Sequence, residues 1–178
     1  VPFLRVIIIA TLNGVPNVLM DGVITKQTID PGTGDAESTL VVMGKDLKAV
    51  MGLQDLGGLP YPAMPVEARV ALIIAKYAPF GIIPLVIPTI FPDPPNPVER
   101  IPTHKGTDLG YIEQLASDAG YVFYIEPGPV PGTNIGYFGP LIKVGVPQPA
   151  LNVDMDAHTN VEKLTFDFDT SKATLPIV

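Results

Sequence analysis

The stretch Gly106–Gly128, GTDLGYIEQLASDAGYVFYIEPG, reads as a capped helix, a stop, a strand and a turn. Thr107 suits the cap position, where a side-chain oxygen accepts a backbone N–H that has no carbonyl partner of its own. Asp108 suits the positive end of the helix dipole. Leu109, Ile112, Leu115, Ala116 and Ala119 recur on one face at helical spacing. Gly120 is the expected left-handed stop. Tyr121–Ile125 has strand composition, with Tyr121, Phe123 and Ile125 sharing a face. The unit holds no cysteine, histidine or lysine, so its punctuation serves shape and not chemistry.

The flanking sequence fits the same β-rich α+β plan. Leu4–Leu12, Val18–Ile29 and Ser38–Met43 are apolar, β-branched runs, separated by Asn13-Gly14 and by the turn cluster Asp30–Asp35. Connections this short permit only an antiparallel meander. A helix is expected over 65–77, with Pro65 at its start, Glu67 in its first turn and apolar side chains on several sides. Ile82–Ile90 returns to extended structure, and Phe91–Pro102 is too rich in proline for helix or inner strand, which makes it a linker. A second helix spans 107–119, and Asn134–Phe138 is the hairpin partner of the Tyr121 strand. Ala150–Asp156 and Leu164–Asp169 alternate apolar and polar residues. Leu151, Val153 and Met155, then Leu164, Phe166 and Phe168, are expected to face inward from strands with one wet side. The divisions that follow are a first antiparallel, barrel-like part over 1–58, a helix and Pro-rich connection over 59–103, and a helix–strand unit with further antiparallel strands over 104–178.

Composition narrows function by exclusion. The chain of 178 residues is 47% hydrophobic and only 16% charged, against about 25% charged in a typical soluble domain. Its mean hydropathy is +0.34, yet no run approaches the ~20 apolar residues of a membrane-spanning helix. The surplus apolar surface is expected to meet other protein, not lipid. A net charge of −7 with scattered lysines and arginines argues against nucleic acid. The absence of cysteine removes disulfides, thiolate nucleophiles and Cys-ligated metals together. No basic segment precedes an apolar one in the manner of a signal peptide.

No catalytic, cofactor or metal set emerges. The histidines are His104 and His158. Asp154, Asp156 and His158 in DMDAH evoke a metal site, but zinc wants three or four convergent ligands, and the preferred reading is a solvated strand face running into a turn. Ser38, Ser117 and Ser171 lie in no G-x-S-x-G motif. Gly32 and Gly34 lack the G-K-[ST] of a phosphate loop. Asp167 and Asp169 sit on the exposed side of their expected strand, a poor place for a glycosidase pair. Tyr121, Phe123, Tyr124, Tyr137 and Phe138 suggest a sugar platform only if they line an exposed strip, and packing is the commoner use of such rings.

TDLGYIEQLASDAGYVFYIEPG also resembles a segment of the phage tail hub family, late control protein D or phage protein D, and of the hub-like N-terminal region of type VI secretion spike proteins. VLMDGVITKQTIDPG, the G-K-D-L motif at Gly44–Leu47, YPAMPVEARVALIIAKYAPFGIIP, FPDPPNPVERIPTHKGTD and VPQPALNVDMDAHTNVEKLTFDFD match further pieces in consistent order across nearly the whole chain. The resemblance implies a central fragment of a longer, non-enzymatic baseplate hub with antiparallel sheets or partial barrels. It further implies homotrimers that join a hexameric tail tube to a trimeric spike, in particles assembled in the bacterial cytoplasm. It places no functional site. The alternatives are a tail-associated cell-wall hydrolase domain and a β-rich carbohydrate-binding module.

Overall fold

A computed structural model describes residues 4–32, 38–89, 96, 98–142 and 150–166. The chain divides into a unit spanning Val1–Leu141 and a second spanning Ile142–Val178. The larger unit begins with the expected meander: β1 (Arg5–Leu12), β2 (Val15–Asp30) and β3 (Thr39–Asp46) pair antiparallel in the order β1-β2-β3. Asn13 and Gly14 both have positive φ, 52° and 79°, and Leu12 pairs with Val15 across them. A two-residue turn of that kind has the twist that antiparallel strands require. The ladder slips between Ile8 and Ile9 on one side of β2 and between Ile24 and Lys26 on the other. Close to the second slip, a Cβ on Gly22 would stand 2.3 Å from the Lys45 carbonyl oxygen, so β2 and β3 approach there as only glycine allows.

A single turn of helix, α1 (Lys48–Met51), follows β3 and buries Met51. The next helix, α2, covers Val66–Ala75, shorter at both ends than 65–77, with Pro65 capping it from an extended conformation. Its burial is also narrower than its apolar sequence suggests. Arg69, Val70, Ile73 and Ile74 form one buried stripe, while Leu72 is exposed. Ala78–Phe80 makes a 3-10 turn that ends at Gly81 with φ of 75°. A Cβ at Gly81 would collide with the Gly132 carbonyl oxygen at 1.9 Å, so this stop is fixed by close approach as well as by backbone conformation.

The second sheet has the order β4-β6-β5, from β4 (Ile82–Val86), β5 (Val122–Pro127) and β6 (Asn134–Gly139). The β5–β6 hairpin is antiparallel, as expected. The β4–β6 pairing is parallel, which the sequence did not announce. Parallel neighbours need a long crossover, and the chain between them supplies α3 (Asp108–Ala119) and β5. The α+β, β-rich class therefore holds, with two mostly antiparallel sheets; neither closes into a barrel. Thr107 caps α3 by accepting from the Gly110 N–H at 3.2 Å, and Gly120 ends it at φ 67°. Ile73, Ile74, Ile112, Phe123 and Phe138 meet in one core between the helices and the second sheet, joined by Val23 from the first sheet and by Leu47 at the N-cap of α1.

The second unit corrects the sequence reading. Residues 150–156 form no strand, and Leu151, Val153 and Met155 are exposed. Asp154 and Asp156 have positive φ, which ends any extended run, and Asp156–His158 is a 3-10 turn. Asn160 closes the loop instead, accepting from the Asn152 N–H at 2.8 Å and donating to the Ala150 carbonyl at 2.9 Å. Leu164 and Phe166 are exposed outside any strand. Phe168, with Asp167 and Asp169, lies outside the described residues, as do Ile90, residues 91–95 and 97 of the linker, and Ser171.

Candidate functional site

Polar side chains gather where α2, α3 and the segment before α3 converge. Residues 55–61 run antiparallel to 102–107: Gly58 N donates to His104 O at 2.9 Å, His104 N to Leu59 O at 2.8 Å, and Tyr61 N to Pro102 O at 2.8 Å. This irregular ladder seats Tyr61 and His104 beneath the start of α3. Asp108, 2% exposed, accepts from Lys76 Nζ at 2.8 Å and from the Tyr77 hydroxyl at 2.7 Å. A carboxylate this deep needs such donors, because stripping it of water is costly unless charge and hydrogen bonds compensate. Burial and the bond to Asp108 push the Tyr77 hydroxyl far above its ordinary pKa. His104 Nδ1 lies 3.0 Å from the Tyr61 hydroxyl, and its Nε2 stands 3.4 Å from Asp108 Oδ1, out of hydrogen-bond alignment.

The His104–Asp108 pair has the composition of an acid–base couple, but its geometry encloses it. The His104 side chain has no exposed surface. Its ring sits 4.5 Å from the Tyr111 ring, and Tyr111 stacks on Tyr61 at 6.0 Å with planes 6° apart. Neither described serine bonds to it: Ser38 and Ser117 are both exposed. The cluster is a buried polar joint that ties α2, α3 and the 55–61 segment together. The sequence held one local trace of it, the i,i+4 spacing of His104 and Asp108; Lys76 and Tyr77 arrive from 32 and 31 residues away.

Beside this joint lies a cavity of about 790 Å³ between α2 and α3. Arg69 forms part of its wall, 6% exposed, with Nη1 donating to the Tyr111 hydroxyl at 2.5 Å and Nε buried without an acceptor. Glu67 also lines it and accepts from both the Thr89 N–H (2.8 Å) and hydroxyl (2.5 Å). Burial alone would raise the Glu67 pKa; the Thr89 bonds and the nearby Arg69 charge outweigh it and hold the carboxyl below its usual value. Arg69 stands in an otherwise largely apolar run, and only the packing of Tyr111 against α2 shows it to be a buried cation.

The other sequence candidates stay apart. Asp154, Asp156 and His158 are exposed, and among the described residues no three His, Cys, Asp or Glu side chains are placed to hold a metal. The exposed aromatic strip is absent as well: Phe123, Tyr137 and Phe138 are buried, and Tyr124 lies stacked on Tyr137 at 4.9 Å. Among the described residues no helix is long and apolar enough to cross a membrane.

The most exposed apolar surface belongs to the first sheet. Leu40, Val41, Val42 and Met43 are consecutive in β3 and all at least 44% exposed. Successive strand residues point to opposite faces, so both faces of this end of the sheet are open. Ile29 continues this surface on β2, and Ile8, Leu12 and Leu19 leave the other end of the sheet, the β1–β2 hairpin, bare as well. The sheet is anchored at the middle of β2, where the β1 and β3 half-ladders meet. Arg5 Nε and Nη2 donate to Asp21 at 2.8 and 2.5 Å, and Nη2 reaches the carbonyls of Phe80 and Gly132. Asn134 donates to the same carboxylate at 2.9 Å.

No protein-family model matches the chain, and no curated protein matches it.

Proposed function

We propose that the chain is a structural component of the baseplate hub of a phage tail or a tail-like contractile injection particle. In that role it joins a hexameric tail tube to a trimeric spike as part of a homotrimer, and breaks no bonds itself. One observation carries the reading: a three-stranded sheet held at the middle of its long strand, with leucine, isoleucine and valine bare at both ends. Exposed apolar area of that kind marks a surface awaiting protein, and open strand edges add backbone groups ready to pair. The ordered run of hub-like sequence pieces, from VLMDGVITKQTIDPG to VPQPALNVDMDAHTNVEKLTFDFD, supports the same role. An enclosed His104–Asp108 pair, its ring bonded to the equally buried Tyr61 hydroxyl, favours a joint over a catalyst.

The test uses tail particles purified from a bacterium carrying the gene. Antibody-gold labelling is expected at the baseplate, between tube and spike, and Leu19→Asp with Val42→Asp is expected to abolish particle assembly. Particles that assemble normally with both substitutions, or that lack the chain, overturn the reading. A peptidoglycan zymogram addresses the hydrolase alternative: clearing that disappears in His104→Ala would replace the scaffold role with an enzymatic one.

A further inference from the structure

We infer that the cavity between α2 and α3 is a binding site for a carboxylate attached to an apolar body, read by the buried guanidinium of Arg69. The inference does not depend on the hub role. A volume of about 790 Å³ falls within the ~300–1,000 Å³ typical of small-molecule sites, which are mostly apolar with a few fixed polar groups. Leu115, Ile101 and Pro102 provide apolar wall, and Tyr111 and Tyr121 provide rings.

The charges argue for an anion. Arg69 is buried and makes no ion pair among the described residues. The Glu67 carboxylate is near enough to feel its charge but gives Oε1 to Thr89, so the pairing of this buried cation is incomplete. Its Nε has no acceptor, and its planar fork suits the two oxygens of a carboxylate. The acids in the wall are already engaged: Glu67 accepts from Thr89, and Asp118 accepts from Gln114 Nε2 at 2.7 Å. Lys105, exposed on the rim, adds positive charge at the entrance. The Arg69–Tyr111 bond holds the guanidinium in place before any ligand arrives, so little ordering remains to be done on binding.

The experiment is a titration of the whole ¹⁵N-labelled chain with 4-phenylbutyrate, followed by NMR, with 4-phenylbutyramide as the uncharged match. The carboxylate is expected to shift the Arg69 Nε–H, Tyr111 and Lys105 signals saturably. The amide is expected to bind about tenfold more weakly or worse, the affinity counterpart of one charge-assisted hydrogen bond. Arg69→Gln, which keeps a donor near the Tyr111 hydroxyl, is expected to abolish the response. Lys105→Glu, on the rim, is expected to weaken it at unchanged melting temperature, and keeps the test decisive if Arg69→Gln fails to fold. Equal binding of acid and amide, shifts outside this cavity only, or an unaltered response in Lys105→Glu overturns the inference.

Discussion

The two sheets of the larger unit have similar strand composition and opposite fates. The β4-β6-β5 sheet lies in the core with α2 and α3, and its central strand, β6, is buried from Gly136 to Gly139. The β1-β2-β3 sheet is buried only around Asp21–Val23, and beyond that point its apolar side chains stand in water. Apolar alternation says that a strand needs a cover; it does not say which molecule supplies the cover. In the second sheet that cover is intramolecular. In the first, the proposed hub role assigns it to neighbouring subunits.

Substitutions at matched positions can break this contrast. The largest effect belongs to Phe138→Ala, which empties the centre of the covered sheet and is expected to cost about 3–5 kcal/mol in urea unfolding. Asp21→Asn comes next, because it strips Arg5 of its carboxylate at the one place where the first sheet is tied down. About 2–3 kcal/mol is expected, in the range for hydrogen bonds to charged groups, moderated because the Arg5 side chain is 29% exposed. Thr107→Ala removes one cap and should cost about 1 kcal/mol. Leu40→Ser, on one bare end of the first sheet, should change stability by less than about 0.5 kcal/mol while lowering self-association in sedimentation. A cost near that of Phe138→Ala would mean that the first sheet is covered within its own chain, and the contrast would fail.

Acid sharpens the same comparison. Burial by itself would raise the Asp21 pKa, but the bonds from Arg5 and Asn134 outweigh it and hold the carboxyl below its ordinary 3.8. A depressed carboxyl contributes stability that is fully present above its unfolded value and is lost as pH falls through the lower folded one. Acid titration monitored by NMR should therefore release the first sheet from its anchor below pH 3.8, and Asp21→Asn should flatten that part of the stability profile.

Local chemistry was legible where a residue acts on its own neighbours. Asn13-Gly14, Thr107 and Gly120 each dictate a backbone conformation within a few residues, and the meander, α3 and the β5–β6 hairpin followed from them. What depended on distant partners was not legible. The alternation over 150–156 resembles a strand, yet a strand needs a second one beside it, and Asn160 binds the segment into a loop instead. The burial of Arg69 and Asp108 depends on segments that come together only in the fold. The parallel seam between β4 and β6 likewise appears only once the intervening helix and strand have been laid down.

The Arg5 anchor also sets an order of events. Asp21 lies 113 residues ahead of Asn134, and Arg5 lies 127 ahead of the Gly132 carbonyl. A ribosome making this chain from its amino end releases the whole first meander before either latch point exists. Over that interval the nascent sheet has bare aliphatic faces and an incomplete anchor, a state prone to sticking to its neighbours on the same message. Slowing translation while residue 132 is still inside the ribosome should therefore lower the soluble yield more than slowing it after that residue has emerged.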